Sequence, residues 1–438
     1  MADGRHSAPR GPSDHSAAAR QRALANEQRL VALGDAVDRQ SGVRTKHRRT
    51  GIRRPRTWAL VGIVLVLLIG GTIGGGYLYA NWRFGQIKKL NVVGELKPIS
   101  GQPFNILSIG SDSRAGLAGL VARQSGATTG SVSGQRSDVV KIIHVDPQLG
   151  TISMLSIPRD TMTTLLANTG LYGRFNRINV NFNNGPSLLA QTITANFGIP
   201  INNTIVVSFA GLINAADAIG GVYLNFPYPA KDAYSGLRIT HAGCQVVTGF
   251  QALAVARSRH YEWFEHGTWN FDVTSDFGRI VRQNAFLRAM LSRAKGLYNP
   301  LTINSFLSKL PQGIALDTNF SLNELIGLAV KFHGINPASI RTYTIPTVTG
   351  TAPNVGSVLF VSQPATQKML VGIFGHQLLT PTNPPPNTAL QTPLPPFEPV
   401  PTTLPVHHST TTTRPTHTTV TTLPEGDQFF DPVPCTPK

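Results

Sequence analysis

The chain has 438 residues, 41% of them hydrophobic, a formal net charge of +17 and two cysteines. That suffices for one large core with extensions, and length alone does not force two domains. No nucleic-acid-binding motif accompanies the basic charge, and no CxxC or Cys/His cluster points to zinc.

The basic charge is uneven. Residues 1–56 hold thirteen Lys or Arg against five acids, as expected of a cytoplasmic tail next to a membrane span. Residues 16–39 are expected to be disordered with transient helix. The run Trp58–Ala80 is 23 residues long, apolar, glycine-rich and uncharged, with Arg53, Arg54 and Arg56 before it and aromatics at its ends. It is long enough to cross a bilayer. A transmembrane helix is therefore expected over 57–81, with everything after it outside the cell. A cleaved signal peptide would be shorter and start earlier.

A mixed α/β pattern follows. Phe104–Ile109 is a short strand ending in Gly110. Val139–Val145 and Thr151–Ile157 are apolar, β-rich runs joined by Asp146-Pro147-Gln148-Leu149-Gly150, a hairpin signature. Helices are expected at 186–197, 210–219, 249–256, 276–295, 301–310 and 321–333, and strands at 204–209, 222–226 and 340–346. Helices and strands intermixed in this way predict an α/β fold, a three-layer α/β/α sandwich. The Gly/Ser/Thr-rich residues 116–134 form a mobile connection. The aromatic stretch 260–275 is a loop that could gate a groove, bind glycan or pack as a lid. From residue 380 to 438 the chain is a Pro/Thr-rich, poorly packing tail. Cys244 and Cys435 both follow the expected span, so either a disulfide or two free thiols is open.

Five arginine-bearing clusters lie beyond that span: Ser111-Asp112-Ser113-Arg114, Arg136-Ser137-Asp138, Pro158-Arg159-Asp160, Arg257-Ser258-Arg259, and Asp276-Phe277-Gly278-Arg279 running on to Arg282-Gln283. Guanidinium forks bind phosphate oxygens bidentately and keep their charge. Interspersed carboxylates suit a divalent cation that helps hold a pyrophosphate. Spacing places Asp112 with Arg114, and Arg136 with Asp138, on one side of an extended segment. Arg279, Arg282 and Gln283 share a helix face, with Asp276 able to cap the helix or hold Arg279. Arg257 and Arg259 converge if the chain leaves its helix extended. Arginines so crowded need an anion or carboxylates to offset their repulsion.

The segments SDSR, RSD, SIPRD, GRFNRIN, IVVSFAGLINAADAIGGV, QALAVARSRHY and DFGRIVRQNAFL, in this order over residues 100–300, resemble the LytR-CpsA-Psr family of cell-wall ligases. The Pro/Thr tail ending near Cys435 is similar to actinobacterial members. The resemblance implies a catalytic domain over 95–375 with a mixed central sheet. It implies transfer of a glycopolymer, arabinogalactan or teichoic-acid-like, from a polyprenyl-pyrophosphate carrier to a muramic acid hydroxyl of peptidoglycan. It implies Mg²⁺ on Asp112 and Asp138, and pyrophosphate on Arg114, Arg136, Arg177, Arg257, Arg259, Arg279 and Gln283. Arg159 should meet the pyrophosphate. Asp138 or Asp160 could receive the acceptor's proton; Asp160 could instead orient Arg159 or cap a turn. A polyprenyl-pyrophosphate phosphatase, with water as acceptor, would use the same site. A non-enzymatic envelope regulatory or binding protein is the third reading.

Overall fold

The computed structural model describes residues 15–40, 74–113, 137–166, 174–295, 300–386 and 428–436. The chain divides into two compact units, Met1–Thr72 and Ile73–Lys438. In the first, His15–Gln40 is one helix of 26 residues, and every side chain described along it is exposed. Its many Ala, Arg, Gln and Leu residues favour helix without a core, where the sequence suggested mostly disorder. Among the described residues no helix is long and apolar enough to cross a membrane. Of the expected span 57–81, residues 57–73 lie outside the described residues, and 74–81 are helical.

The second unit is built on one mixed sheet. Its strands are β1 (Lys88–Leu90), β2 (Phe104–Ser111), β3 (Ser137–Asp146), β4 (Thr151–Ile157), β5 (Asn203–Val207), β6 (Ile314–Asp317) and β7 (Arg341–Thr344). They lie in the order β1-β6-β5-β2-β3-β4-β7. The centre, β2-β3-β4, is antiparallel; β5 runs parallel to β2, and β7 parallel to β4. The Asp146 carboxylate accepts the N–H groups of Gln148 and Leu149 at 2.8 and 2.9 Å, which fixes the β3–β4 turn.

Both faces of the sheet are covered, which is why β2, β3 and β4 are nearly continuous apolar runs. Leu107, Ile109, Val140, Ile142, Leu155 and Ile157 pack on one side with residues of the helices Pro186–Phe197 and Ala365–Phe374. Ile106 and Val145 face the other way, among Phe84, Phe320 and Leu322. A separate core gathers Phe226, Tyr261, Trp263, Phe286 and Phe430. Because β2 ends where β3 begins and β4 ends, Asp112, Asp138 and Arg159 gather at one end of these three strands.

Two segments depart from the sequence reading. The aromatic stretch 260–275 contains a β-hairpin, Glu262–Glu265 with Thr268–Phe271. His266 and Gly267 turn it at φ of 51° and 81°, the conformation that matches strand twist in a two-residue loop. The hairpin joins a four-stranded sheet with Ala230–Asp232 and Leu237–Ile239. The end of the chain also returns to the domain. Val433 and Pro434 pair with the strand Val222–Phe226, and Cys435 forms a disulfide with Cys244, Cα atoms 6.0 Å apart. Of the expected tail 380–438, residues 380–386 also contact the domain: the Asn383 N–H donates to Ala195 O at 2.9 Å.

Candidate active site

Five elements deliver the site's charged groups. Asp112 directly follows Ser111, the last residue of β2, whose register partner is Ser137, and Asp138 is the second residue of β3, so both lie at the same end of this strand pair. Arg159 follows β4. The backbone N–H groups of Ile178 and Asn179 donate to the carbonyls of Thr161 and Arg159, at 2.8 and 3.3 Å, which steadies that turn. Arg257 closes the helix Gly249–Arg257, and Ser258 leaves it extended, φ −62° and ψ 118°. The helix Asp276–Ala294 carries Arg279 and Gln283, both buried.

These groups form a chain of ion pairs. Arg159 Nη1 meets Asp138 Oδ1 at 2.5 Å. Arg279 Nη2 donates to the Asp138 carbonyl at 2.8 Å and meets Asp276 Oδ1 at 2.8 Å. Arg259 Nε lies 3.2 Å from the same Asp276 oxygen. Asp276 therefore holds two arginines together rather than one. Burial works against the charge on Arg159, but the carboxylates of Asp138, Asp160 and Asp276 outweigh it and hold its pKa above the ordinary value. Burial lowers that of Arg279, against the pull of Asp276 and Asp138, yet a guanidinium stays charged. The Nε atoms of Arg159 and Arg279 are buried and make no hydrogen bond among the described residues.

A cavity of about 110 Å³ opens at this point. Asp138, Arg257, Arg279 and Gln283 line it, together with Val139, Val207, Phe209, Leu212, Leu253, Phe286 and Leu287. Charged groups and an apolar wall thus share one space. The Arg257 guanidinium lies 4.9 Å over the Phe209 ring. Gln283 Nε2 donates to Ala256 O at 2.9 Å, fastening one lining helix to the other.

Other residues singled out in the sequence fall elsewhere. Arg114 and Arg136 lie outside the described residues, as does the 116–134 connection. Arg177 is not among the residues lining the cavity; its Nη2 donates to the carbonyls of Val355 and Ser357 at 3.0 and 2.8 Å, which braces the hairpin Thr347–Ala352/Gly356–Val361. Asp160 sits between Arg159 and Arg177, 3.6 Å from the Nε of each, which orients the arginines. Arg282 is structural. It is buried among Asp272 Oδ2 at 2.9 Å, Asp431 Oδ1 at 2.8 Å and the Ser258 carbonyl at 3.1 Å. A Cβ at Gly278 would collide with the Asp272 carboxylate, so glycine is what lets these groups close together.

The sequence reading missed Lys141. It lies mid-β3, fully buried, and its Nζ donates to Ser156 Oγ at 2.7 Å and Asn284 Oδ1 at 2.6 Å. Burial, then the charges of Arg279 and Arg288, lower its pKa to about 7. A lone lysine inside the apolar run Val139–Val145 was the signal.

Known proteins resemble this chain over the same region. "Probable cell wall biosynthesis protein LcpB" of Corynebacterium glutamicum is 29% identical over 302 residues, 68% of this chain and 65% of that protein. The chain therefore spans just under two thirds of that relative. "Polyisoprenyl-teichoic acid–peptidoglycan teichoic acid transferase TagV" of Bacillus subtilis is 27% identical, over 66% of this chain and 70% of its own. The solved "LytR-Csp2A-Psr enzyme from Actinomyces oris" superposes with a TM-score of 0.51 at 20% identity, covering 68% of this chain and 97% of its own, and shows the same fold. The LytR_cpsA_psr family model matches residues 85–372, and the chain belongs to that family.

Proposed function

We propose that this protein transfers a glycopolymer from a polyprenyl-pyrophosphate carrier to a hydroxyl of peptidoglycan. The observation that carries this reading is the shared cavity, in which Phe209, Leu212, Leu253, Phe286 and Leu287 adjoin Arg257, Arg279 and Asp138. A space of this size and lining suits an anionic head and the first carbons of an apolar chain. The names of relatives support the same chemistry.

In the proposed step the acceptor hydroxyl oxygen attacks the phosphorus that bears the sugar. The P–O–P bridge breaks, polyprenyl phosphate leaves, and a sugar phosphodiester forms. Arg159, Arg257, Arg259 and Arg279 offset charge on the leaving phosphate. Asp138 lines the cavity and is better placed than Asp160 to take the hydroxyl proton. Asp112 and Asp138, at the same end of β2 and β3, would be the residues to hold a Mg²⁺. Such an ion would draw charge off the diphosphate. Among the described residues no group of three His, Cys, Asp or Glu forms an all-protein cage, so these two carboxylates would bind it weakly without substrate. Arabinogalactan and a teichoic-acid-like polymer both fit a reading that depends on the diphosphate alone. The run 57–81 would anchor the site outside the membrane.

The test is turnover by the full-length chain of a polyprenyl-pyrophosphate-linked oligosaccharide, with Mg²⁺ and peptidoglycan fragments. A sugar phosphodiester on the fragments is expected. Free phosphate without diester would instead identify a phosphatase, and binding without turnover a regulatory protein.

A further inference from the structure

None of the residues on the solvent side of the four-stranded sheet lines the cavity described above. Strand register places Phe264 opposite Trp269, Glu262 opposite both Phe271 and Lys231, and Lys231 opposite Arg238, all on one face. The other face is core, where Trp263 stacks on Phe430 with centroids 3.9 Å apart. A solvated sheet face is ordinarily polar. Here Phe264, Trp269 and Phe271 are 38%, 44% and 50% exposed. Lys231 Nζ sits 3.9 Å over the Trp269 ring and 3.2 Å from Glu262. His260 adds a ring 4.4 Å from that of Tyr234 and 6.2 Å from that of Phe271.

This face meets the arginine cluster at one point in the chain. His260 belongs to the face, and the preceding residue, Arg259, pairs with Asp276. The junction is fixed by the buried Asp232, whose Oδ2 accepts from Ser258 Oγ, Arg259 N and His260 N at 2.7, 3.0 and 2.9 Å.

We propose that this aromatic face docks the peptidoglycan acceptor strand and aims its hydroxyl at the phosphate held beside Arg259. The inference rests on the transfer reading above and names where the second substrate binds. Sugar rings present C–H faces that lie on aromatic rings, and hydroxyls that bond to polar edges such as Glu262, Lys231 and Arg238. Four strands span about 14 Å, room for a short run of sugars. The donor's head is served by the recessed cavity, whereas a polymer fixed in the wall can reach only an open face. Charge agrees: Lys231 and Arg238 outnumber Glu262 on this face, and peptidoglycan carries lactyl and peptide carboxylates. A membrane is a poorer occupant because Glu262 lies among the rings. The chain also enters the domain elsewhere: Tyr77 and Tyr79 of the helical segment 74–85 hydrogen-bond Asn323 and Asn304.

The test is cosedimentation of the full-length chain, in detergent, with insoluble peptidoglycan. W269A/F271A should weaken retention at least tenfold and raise the acceptor KM to match, with the donor KM held within twofold. W269F/F271Y should restore retention to within twofold. Unchanged retention, loss of binding to anionic phospholipid vesicles in its place, or a rise in donor KM alone would each overturn the proposal. Retention is read without turnover. A chain that binds the wall through these rings yet only hydrolyses the donor would sink the transfer reading and keep the docking face.

Discussion

Replacing Arg282 with Met should destabilise this protein more than any exposed arginine substitution. Arg282, Asp272 and Asp431 have side chains 0% exposed, and the guanidinium lies 4.6 Å over the Tyr261 ring. Methionine fills the volume but leaves two buried carboxylates facing one another without a cation. Removing one partner of a buried pair costs about 3–5 kcal/mol. In a large domain each kcal/mol lowers Tm by about 2–4 °C, so a drop of roughly 6–20 °C is expected. pH supplies a second reading. Burial already holds the Asp431 carboxyl above its usual pKa despite Arg282, and losing the cation raises it further. A carboxyl with a raised folded pKa contributes stability that is fully present below the unfolded pKa and lost as pH rises through the folded one. The defect in R282M should therefore be larger at pH 8 than at pH 5. Thermal unfolding of both proteins by circular dichroism at the two pH values decides it. A drop below about 2 °C at pH 8, or equal drops at both pH values, would refute the reasoning.

Lys141 carries a depressed pKa of about 7, so between there and its unfolded value near 10.5 the unfolded chain binds the extra proton. Stability should climb with pH across that window, by on the order of 1 kcal/mol per unit, and K141M should flatten the slope in denaturant titrations at pH 7, 8 and 9. Arg159→Ala and Arg279→Ala should each cut turnover by about 100-fold or more, measured as diester formed; near-normal rates in both would remove their assigned roles. The C244S/C435S variant opens a loop of sequence separation 191, worth roughly 5 kcal/mol by chain entropy; its urea midpoint should fall, as should that of the wild type under reductant.

The fold was legible wherever burial writes itself into local pattern. Val139–Val145 and Thr151–Ile157 announce a hairpin because a sheet covered on both faces needs continuous apolar runs. Pro186–Phe197 announces a helix because proline at its first turn fits only there. The arginine clusters were visible because phosphate chemistry demands that residue type. Their sharing was not: that Asp276 holds both Arg259 and Arg279 depends on a helix meeting a loop from another part of the chain. Arg177 shows the converse, since its residue type suggests a phosphate while its position offers main-chain carbonyls. Lys141 and the hairpin around His266-Gly267 each left a signal, one charge in an apolar strand and a glycine between alternating aromatics. The partnership of Asp431 with Arg282 left none, since nothing local marks contact across 149 residues.

The bond between Cys244 and Cys435 changes what a protease can achieve. Asn383 is fastened to the domain before the Pro/Thr-rich residues 387–427, and Cys435 after them. A single nick in them leaves the fragments covalently joined, migrating apart only on a reducing gel. Only nicking and reduction together would free Phe430 and Asp431 from the core, and the helix bearing Arg279 and Gln283 would then lose its prop. Loss of activity should need both insults, and neither alone.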